Sequence, residues 1–368
     1  MGLFLKRWFM PEELAYVLIN PYTIIKSRTG GVIARLLARS SVDLVAARMF
    51  APSRDLVDEY AKISSGANSS KHPYIQDLVK QYLKENYSPC PQTGRKRRVM
   101  FLLFKGEDAI KRLWNEVVGH ITHETVTGET IRDTYGDYIK SSDGSTKYFE
   151  PAVIMGTDSE GTGRELAVWA KYSDTDSGML KETVYYPPGI KPQSTLVLIK
   201  PDCFQWPSSR PGSIIDTFSR TGLYIIAVKV LRMSVAQALE FYGPVRDVLA
   251  KKFNSKEIAE QQFNKIIKFM TGSTPQEAVS EQERSQPGKV KCLALVYQGQ
   301  DAIKKIRAVL GSTDPSKAAP STVRREFGRD VMVNTAHASD SEVNAIREMA
   351  IIDLAQNDLK GIIGKFGK

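Results

Sequence analysis

The sequence is poor in cysteine and histidine. Its 368 residues include only three cysteines and four histidines. Cys90, Cys203 and Cys292 have neither disulfide nor metal-ligand spacing, and His120 and His123 lie close together without acidic or thiol companions. These absences exclude a disulfide scaffold and leave no metal site to propose. A reducing compartment is expected.

Long apolar runs are also missing. Pro11, Glu12 and Glu13 interrupt the first apolar stretch before a signal-peptide core is complete, and the later runs are too short to span a bilayer. We therefore expect a cytoplasmic protein that does not contact a membrane. An apolar fraction of 42% and a charged fraction of 25% are typical of globular domains, and the length suffices for two of them.

The net charge of +10 favours anionic ligands, whether nucleotides, nucleic acid or acidic lipid. A basic run at residues 95–98 stands beside a predicted strand, where such charges are typical of a solvated sheet edge. The sequence contains no nucleic-acid-binding motif with interleaved aromatic residues. Nucleic acid is therefore not expected as a main ligand.

Short stretches of the first half recur in the same order in the second half, which indicates an internal duplication. The matching pairs are residues 16–22 with 196–202, 44–50 with 224–233, 108–111 with 301–304, 131–136 with 323–328, and 156–160 with 338–342. In each half strands alternate with helices. This order predicts an α/β (α+β) chain of two ferredoxin-like βαββαβ sandwiches, with helices over one face of each antiparallel sheet.

The predicted domains are residues 1–172 and 194–368. They are joined by a linker at 173–193 that is rich in Asp, Ser, Gly and Pro. Two further stretches, 64–98 and 272–288, are polar or interrupted by proline and glycine, and they predict irregular inserts.

The most informative stretch surrounds His337. Residues 331–335, rich in β-branched side chains, predict a strand that leads to this histidine, and Asp340 and Ser341 then begin a helix whose first turn contains Glu342. A strand-to-helix junction brings helix N–H groups and the positive end of the helix dipole close to the imidazole, which favours phosphate binding. A histidine in such a turn can also serve only as a local hydrogen-bonding group.

Polar residues elsewhere in the second half complete a set suited to polyphosphate. Lys200 follows a predicted buried strand, Arg307 lies on a predicted helix, and Thr313, Arg324 and Asn334 lie in or beside the following loops. Two guanidinium groups, an ammonium group and a hydroxyl match the oxygens of a phosphate chain. Taken singly, each residue also fits a surface cation or a capping residue.

The motifs that contain these residues resemble those of the nucleoside diphosphate kinase family. The resemblance is carried by Thr-Leu-Val-Leu-Ile-Lys-Pro-Asp at 195–202, Leu-Gly-Ser-Thr-Asp-Pro at 310–315 with Arg307, Pro-Ser-Thr-Val-Arg at 320–324, and Asn-Thr-Ala-His-Ala-Ser-Asp-Ser at 334–341. It covers about residues 194–355, and the first half resembles the same family more faintly.

The resemblance implies an enzyme that transfers the γ-phosphate of a nucleoside triphosphate to a nucleoside diphosphate by a ping-pong mechanism. His337 would be the phosphorylated nucleophile, and Glu348 would orient it. The implied nucleotide-binding residues are Lys200, Tyr242, Arg307, Thr313, Arg324 and Asn334. Mg²⁺ would arrive with the nucleotide, and a homo-oligomer is expected. The alternative is a non-enzymatic nucleotide sensor or scaffold whose transfer site is disabled.

The second half departs from the family pattern in two places. Ala338 follows the histidine where the family has glycine, and the segment between Tyr242 and Val290 is longer than usual. Phe263 and Ile266 are the best matches to the aromatic and aliphatic side chains that clamp the base. The base and sugar preference is left open.

The first half departs further. Met155 matches the histidine, Asn20 the lysine, Ala152 the asparagine, and Trp114 or Asn115 the first arginine. Three counterparts are kept, which are Tyr60, Arg132 and Glu165. A thioether cannot carry a phosphoryl group, so we expect a half without turnover that packs against the active half.

Overall fold

The computed structural model describes residues 12–64, 73–121, 128–253 and 255–366. The first half contains strands β1 (Glu12–Ile19), β2 (Asp43–Phe50), β3 (Val99–Glu107), β4 (Asp137–Lys140), β5 (Thr146–Glu150) and β6 (Val153–Ile154); the second contains β7 (Gln193–Ile199), β8 (Tyr224–Leu231), β9 (Cys292–Gly299) and β10 (Ala336–Ala338). Two four-stranded antiparallel sheets form, in the orders β6-β1-β3-β2 and β10-β7-β9-β8. In the first sheet, β6 lies beside β1, and β3 lies between β1 and β2. In the second sheet, β10 lies beside β7, and β9 lies between β7 and β8. The predicted ferredoxin-like fold is confirmed.

Helices connect these strands. In the first half they are α1 (Pro21–Ile25), α2 (Thr29–Arg39), α3 (Arg54–Ile63), α4 (Pro73–Tyr87), α5 (Ala109–Arg112, continued by a π-helical turn Leu113–Val118), α6 (Ile131–Tyr135) and α7 (Ser159–Lys171). In the second they are α8 (Arg210–Ser219), α9 (Val235–Phe241), α10 (Gly243–Lys252), α11 (Lys256–Thr271), α12 (Glu281–Ser285), α13 (Ala302–Leu310), α14 (Val323–Phe327), α15 (Glu342–Ile351) and α16 (Leu359–Phe366).

The first sheet is buried on both faces. Along β1, Ala15, Val17 and Ile19 belong to a core shared with the second half, whereas Tyr16 and Leu18 belong to a second core under α3, α4 and α7. Alternate residues of a strand point to opposite faces. Because both faces of this sheet are buried, the sequence of β1 is apolar without a polar alternation. The prediction that helices cover only one face is therefore wrong for this sheet.

The two halves pack against each other through α2 with α8 and through β2 with β8. These two helices lie very close together at Gly30 and Gly212. A Cβ on Gly30 would overlap the carbonyl of Gly212, and a Cβ on Gly212 would lie 2.6 Å from the Ala34 Cα. Neither position therefore tolerates a side chain without a shift of backbone.

Gly212→Ala is expected to destabilise the folded chain by about 1–3 kcal/mol, because the added methyl group overlaps backbone that cannot give way. Chemical denaturation of the full chain measures this. Gly163→Ala on α7 is the matched control, since a Cβ at that position meets no atom of the described structure within 4 Å. Equal stability of the two variants would contradict the close helix crossing.

The connection between the halves is bonded to both of them. Ala51 N–H donates to the Asp176 carbonyl at 2.7 Å, and Leu180 N–H donates to the Ile226 carbonyl at 2.9 Å. The basic run at 95–98 also belongs to this junction, because Arg98 is buried and donates to the Ile225 carbonyl at 2.9 Å. The prediction that the run is a solvated sheet edge is therefore wrong.

The C-terminal segment returns to the first half. Arg48 on β2 donates to the Gln356 carbonyl at 3.0 Å, and Asn357 donates to Ser173 Oγ at 2.7 Å. Helix α16 then packs on α7 and β1, with Leu359 in the core of the first half. The folding of either half is thus coupled to the other.

Helix α4 and the β4–β5 hairpin were not predicted from the sequence. The insert at 64–98 contains the 15-residue helix α4, and β4 pairs with β5 as an antiparallel hairpin. The insert at 272–288 is mostly irregular, as predicted, apart from the short helix α12.

Candidate active site

His337 lies in the middle of β10, where it pairs with Leu198 of β7. The strand predicted at 331–335 is absent from those described residues, and β10 begins after Thr335. Thr335 has a φ of +70°, which is strained for a β-branched residue. Its carbonyl accepts a 2.8 Å hydrogen bond from Lys200 N–H. This kink turns the chain from the loop into the sheet directly before the histidine.

The imidazole of His337 is held by a buried carboxylate. Its Nε2 lies 2.9 Å from Glu348 Oε2, and Ser339 Oγ donates to the same oxygen at 2.6 Å. We assign the hydrogen of this bond to Nε2, since a carboxylate oxygen is an acceptor, and the lone pair of the neutral ring to Nδ1. The orientation of the ring is thus fixed through Nε2.

Two aromatic side chains pack beside the imidazole, Phe241 at the end of α9 and Tyr242 at its C-terminal cap. The Phe241 ring centroid lies 5.1 Å from that of His337, and the Tyr242 centroid lies 6.4 Å away. Tyr242 was predicted, whereas Phe241 was missed, although it is the residue directly before the predicted tyrosine. The side chain of His337 is 24% exposed, so it remains reachable by a ligand.

Lys200 and Asn334 form one buried unit. Lys200 Nζ donates to Asn334 Oδ1 at 2.6 Å, and Asn334 Nδ2 donates to the Thr313 carbonyl at 3.0 Å. Burial, followed by the nearby positive charge of Arg324, lowers the pKa of the Lys200 ammonium to about 8. An anionic ligand beside Lys200 would stabilise the charged form of its ammonium group.

Arg324 and Thr313 stand beside this unit. Arg324 Nη2 donates to the Ala336 carbonyl at 3.1 Å, and Nη1 lies 3.4 Å from Thr313 Oγ1. Burial, followed by the charge of Arg307, lowers the pKa of Arg324 to about 10. Arg307 itself is exposed on α13. The two guanidinium groups are thus close enough to repel each other, which an anion between them would relieve.

Two buried polar groups of the site are unsatisfied. In the part of the chain that the structure describes, Arg324 Nε and the Tyr242 hydroxyl are buried and have no hydrogen-bond partner. Unpaired buried polar groups are costly and are usually explained by a missing ligand or water. Both groups fit an anionic ligand next to His337.

Asp340 follows the histidine turn without capping the helix. The N-cap of α15 is Ser341, which accepts from Asn344 N–H at 3.1 Å, and Asp340 Oδ1 accepts from Asn344 Nδ2 at 2.6 Å. The side-chain hydrogen bonds from Asn344 and Ser341, and then the charge of Arg307, lower the pKa of Asp340. Among the described residues no group of three or more His, Cys, Asp or Glu side chains could hold a metal ion; His123 lies outside them.

The two residues expected to clamp the base do not form an open clamp. Phe263 is only 1% exposed, and the Arg246 guanidinium covers its ring at 5.1 Å from the centroid. Arg246 is fixed there by two hydrogen bonds to Glu260, at 2.8 and 2.5 Å. Ile266 packs against the core, half-buried. The prediction fails because α10 lies against α11.

In the first half, other residues occupy the positions that correspond to this site. Ile154 pairs with Leu18, two residues before Asn20, as His337 pairs with Leu198, two residues before Lys200. Ile154 therefore occupies the place of the histidine. The assignment of Met155 to that place is wrong by one residue.

The same shift applies to the neighbouring assignments. Asn20 N–H donates to the Ala152 carbonyl as Lys200 N–H does to that of Thr335, and both acceptors have positive φ. Ala152 thus matches Thr335 instead of Asn334. Tyr60 lies seven residues after the N-cap Ser53, as Phe241 does after the N-cap Ser234, so it matches Phe241 instead of Tyr242.

The position of the first arginine is filled by an indole. Gly119 N–H donates to the Trp114 carbonyl, as Gly311 N–H does to that of Arg307, so Trp114 rather than Asn115 is the counterpart. Its ring stacks 4.9 Å from the Arg132 guanidinium, which is fully buried. Arg132 itself donates to two carbonyls, as its counterpart Arg324 does.

Comparison with known proteins matches the second half of the chain. A family model described as nucleoside diphosphate kinase matches residues 193–354. The nucleoside diphosphate kinase of Campylobacter hominis is 34% identical over 158 residues, which are 43% of this chain and 93% of that protein. The chain belongs to the nucleoside diphosphate kinase family. The nucleoside diphosphate kinase of Archaeoglobus fulgidus is 33% identical over 159 residues, 43% of this chain and 85% of that protein.

Solved structures of the family are similar over the same share of the chain. A crystal form of the Aquifex aeolicus nucleoside diphosphate kinase is 30% identical, covers 44% of this chain and 95% of its own, and has a TM-score of 0.34. A transition-state mimic of the Borrelia burgdorferi enzyme with bound vanadate and ADP is 25% identical, covers 44% and 86%, and has a TM-score of 0.33.

Membership of the family confirms three predictions from the sequence, namely the resemblance itself, the nucleoside diphosphate kinase class of enzyme and the nucleotide-binding, transferase character of the chain. Within the ranges that the structure covers, no helix combines the length and the apolar character needed to cross a membrane.

Proposed function

We propose that the chain transfers the γ-phosphate of a nucleoside triphosphate to a nucleoside diphosphate through phosphorylated His337. The observation that carries the proposal is the hydrogen bond between His337 Nε2 and the buried Glu348 carboxylate, which leaves Nδ1 as the nucleophile. A binding-only module has no need of an oriented, half-buried imidazole.

In the first half-reaction, the Nδ1 lone pair forms a bond to the γ-phosphorus while the bond from that phosphorus to the bridging oxygen breaks, which releases the diphosphate. The second half-reaction reverses these steps with another diphosphate as acceptor. Histidine suits this covalent role because its neutral ring is both nucleophile and leaving group near neutral pH. Glu348 stabilises the positive charge that develops on the ring.

Charge on the transferred phosphoryl oxygens is matched by three cationic residues, Lys200, Arg307 and Arg324. Preorganised cations of this kind supply most of the catalysis of phosphoryl transfer. Thr313, Asn334 and Tyr242 add neutral hydrogen-bonding groups at the same place. Mg²⁺ bound with the nucleotide would supply further charge neutralisation, and the carboxylate of Asp340, which is exposed on the turn after His337 and has a lowered pKa, would be a group to hold it through water.

Nucleotide affinity is expected to fall as the pH rises through about 8. Lys200, whose pKa burial lowers to about 8, carries its positive charge below that value and loses it above. The Kd for ADP should therefore increase by up to about tenfold per pH unit above the inflection. Titrations between pH 7 and 9.5 measure this, and Lys200→Met should lack the inflection. An unchanged profile in that variant would assign the inflection to another group.

The proposal is tested by incubating the chain with γ-labelled ATP and Mg²⁺ and treating the product with acid and base. Acid-labile, base-stable label that chases onto a diphosphate supports the mechanism. Bound nucleotide without label would favour the alternative, a nucleotide sensor or scaffold, because the same cations would then serve binding alone.

We propose the domain limits 1–172 and 194–368 with a connection at 173–193, and a first half without turnover. The absence of turnover in the first half is supported by Ile154 at the histidine position and by Trp114 stacked on Arg132.

We also propose that chains self-associate. The exposed apolar side chains of Val343 and Ile346 on α15 support this, because association would cover them. Light scattering measures the assembly.

A further inference from the structure

Arg347 precedes Glu348 on α15 and connects this helix to α9. Its Nη1 donates to the Glu240 carbonyl at 3.1 Å, and its Nη2 donates to the Phe241 carbonyl at 3.3 Å. These carbonyls belong to the C-terminal end of α9, where backbone oxygens lack partners within the helix and a positive charge is favourable.

The same guanidinium group approaches Glu348. Nη2 lies 3.8 Å from Glu348 Oε1, whereas Oε2 is the atom that accepts from His337 and Ser339. The carboxylate thus has a contact at each of its oxygens, and Arg347 provides the one at Oε1.

Both elements that Arg347 joins reach the histidine. α15 provides the carboxylate behind the ring, and α9 provides Phe241, whose ring lies 5.1 Å from the imidazole. Arg347 is also steadied on its own helix, since its Nε lies 3.4 Å from Asn344 Oδ1. Arg347 therefore connects Glu348, which accepts from His337, to the end of α9, whose Phe241 ring packs beside the imidazole.

We propose that Arg347 is a positioning residue that holds Glu348 and the C-terminal end of α9 in one arrangement around His337. The inference rests on the proposed phosphotransfer for its kinetic consequences but not for its geometry. Removal of the guanidinium group frees both the carboxylate and α9, and the imidazole loses its fixed orientation. A fixed orientation is worth up to two orders of magnitude in rate.

The first test is independent of activity and uses proton NMR of the full chain. The Nε2 hydrogen of His337, identified by its loss in His337→Gln, should give a slowly exchanging signal in the unaltered protein. We expect this signal to be lost in Arg347→Met and kept in Arg347→Lys. Arg232→Met is the matched control, since Arg232 also donates to a backbone carbonyl, at 2.8 Å, and lies 3.8 Å from a carboxylate. A signal that persists in Arg347→Met, or that is absent from the unaltered protein, overturns the proposal.

The second test is the single-turnover rate of His337 phosphorylation. Arg347→Met should lower this rate by about tenfold with the Kd for ADP unchanged within about twofold, and Arg347→Lys should recover most of the loss. In a Glu348→Gln background, Arg347→Met should have little further effect, because the two residues act as a unit. Additive losses, or a fall in stability without a change in rate, contradict the inference. Failure of the unaltered protein to phosphorylate would instead contradict the proposed function.

Discussion

His337→Ala is expected to abolish phosphoryl transfer while nucleotide binding persists. The variant lacks the only described imidazole that is oriented by a buried carboxylate, and removal of a covalent nucleophile typically costs more than about four orders of magnitude in rate. The groups that contact phosphate in the proposal, led by Lys200 and Arg324, are left in place. Transfer from labelled ATP measures the loss, and calorimetry with ADP measures the retained binding.

The matched control is His120→Ala. His120 lies in the first half, where its ring contacts Trp114 at a centroid distance of 5.8 Å, and its removal should leave transfer unchanged. The His337→Ala variant also tests the first half, which it leaves intact. Substantial transfer in this variant would locate turnover outside the second half and contradict both assignments.

The fold and the composition of the site could be predicted because they depend on local patterns. The run at 196–199 is apolar throughout, and it lies in a strand that is buried from Thr195 onwards. Among the candidate site residues, Lys200 follows β7 directly and Asn334 stands two residues before β10, whereas Arg307 and Arg324 lie on the helices α13 and α14. Helix α4 could also have been found, since Ile75, Val79 and Leu83 repeat at a helical spacing and are all buried.

The register of the first half could not be found in this way. Turns of small residues carry little information on alignment, so matching the turns after His337 and Met155 gave an error of one position. A shift by one residue exchanges the faces of a strand, and only the pairing of Ile154 with Leu18 decides between the two. Arg347 was missed for a related reason, since its contacts lie on α9, more than 100 positions earlier in the chain.

The burial of Phe263 shows a different limit. The identity of an aromatic residue does not state whether its ring is open or covered in the fold. Here the cover is an arginine of the preceding helix, fixed by its ion pair with Glu260. Conversely, the exposure of Arg307 follows from its position on α13, whose buried face is formed by Ala302, Ile306 and Leu310.

Because its side chain is exposed, Arg307 can be substituted to test the role of the three positive charges at Lys200, Arg307 and Arg324. Arg307→Ala is expected to lower kcat/KM by about 10²–10³-fold, the usual cost of losing one preorganised group that stabilises transition-state charge. Arg324 is less suitable, because it also donates to the Gly311 and Ala336 carbonyls, and its removal would disturb the backbone. Arg307 lies near enough to lower the pKa of Arg324, after burial, so its charge acts at the site.

The control for Arg307→Ala is Lys305→Ala, which removes one exposed positive charge from the same helix. If the net charge of α13 were all that mattered, both variants would weaken transfer equally, and high salt would reduce the effect of each. We expect instead that only Arg307→Ala loses activity and that its thermal unfolding is unchanged, since its side chain is exposed. Equal losses would show that α13 attracts the nucleotide through its overall field, and Arg307 would then have no direct role at the phosphate.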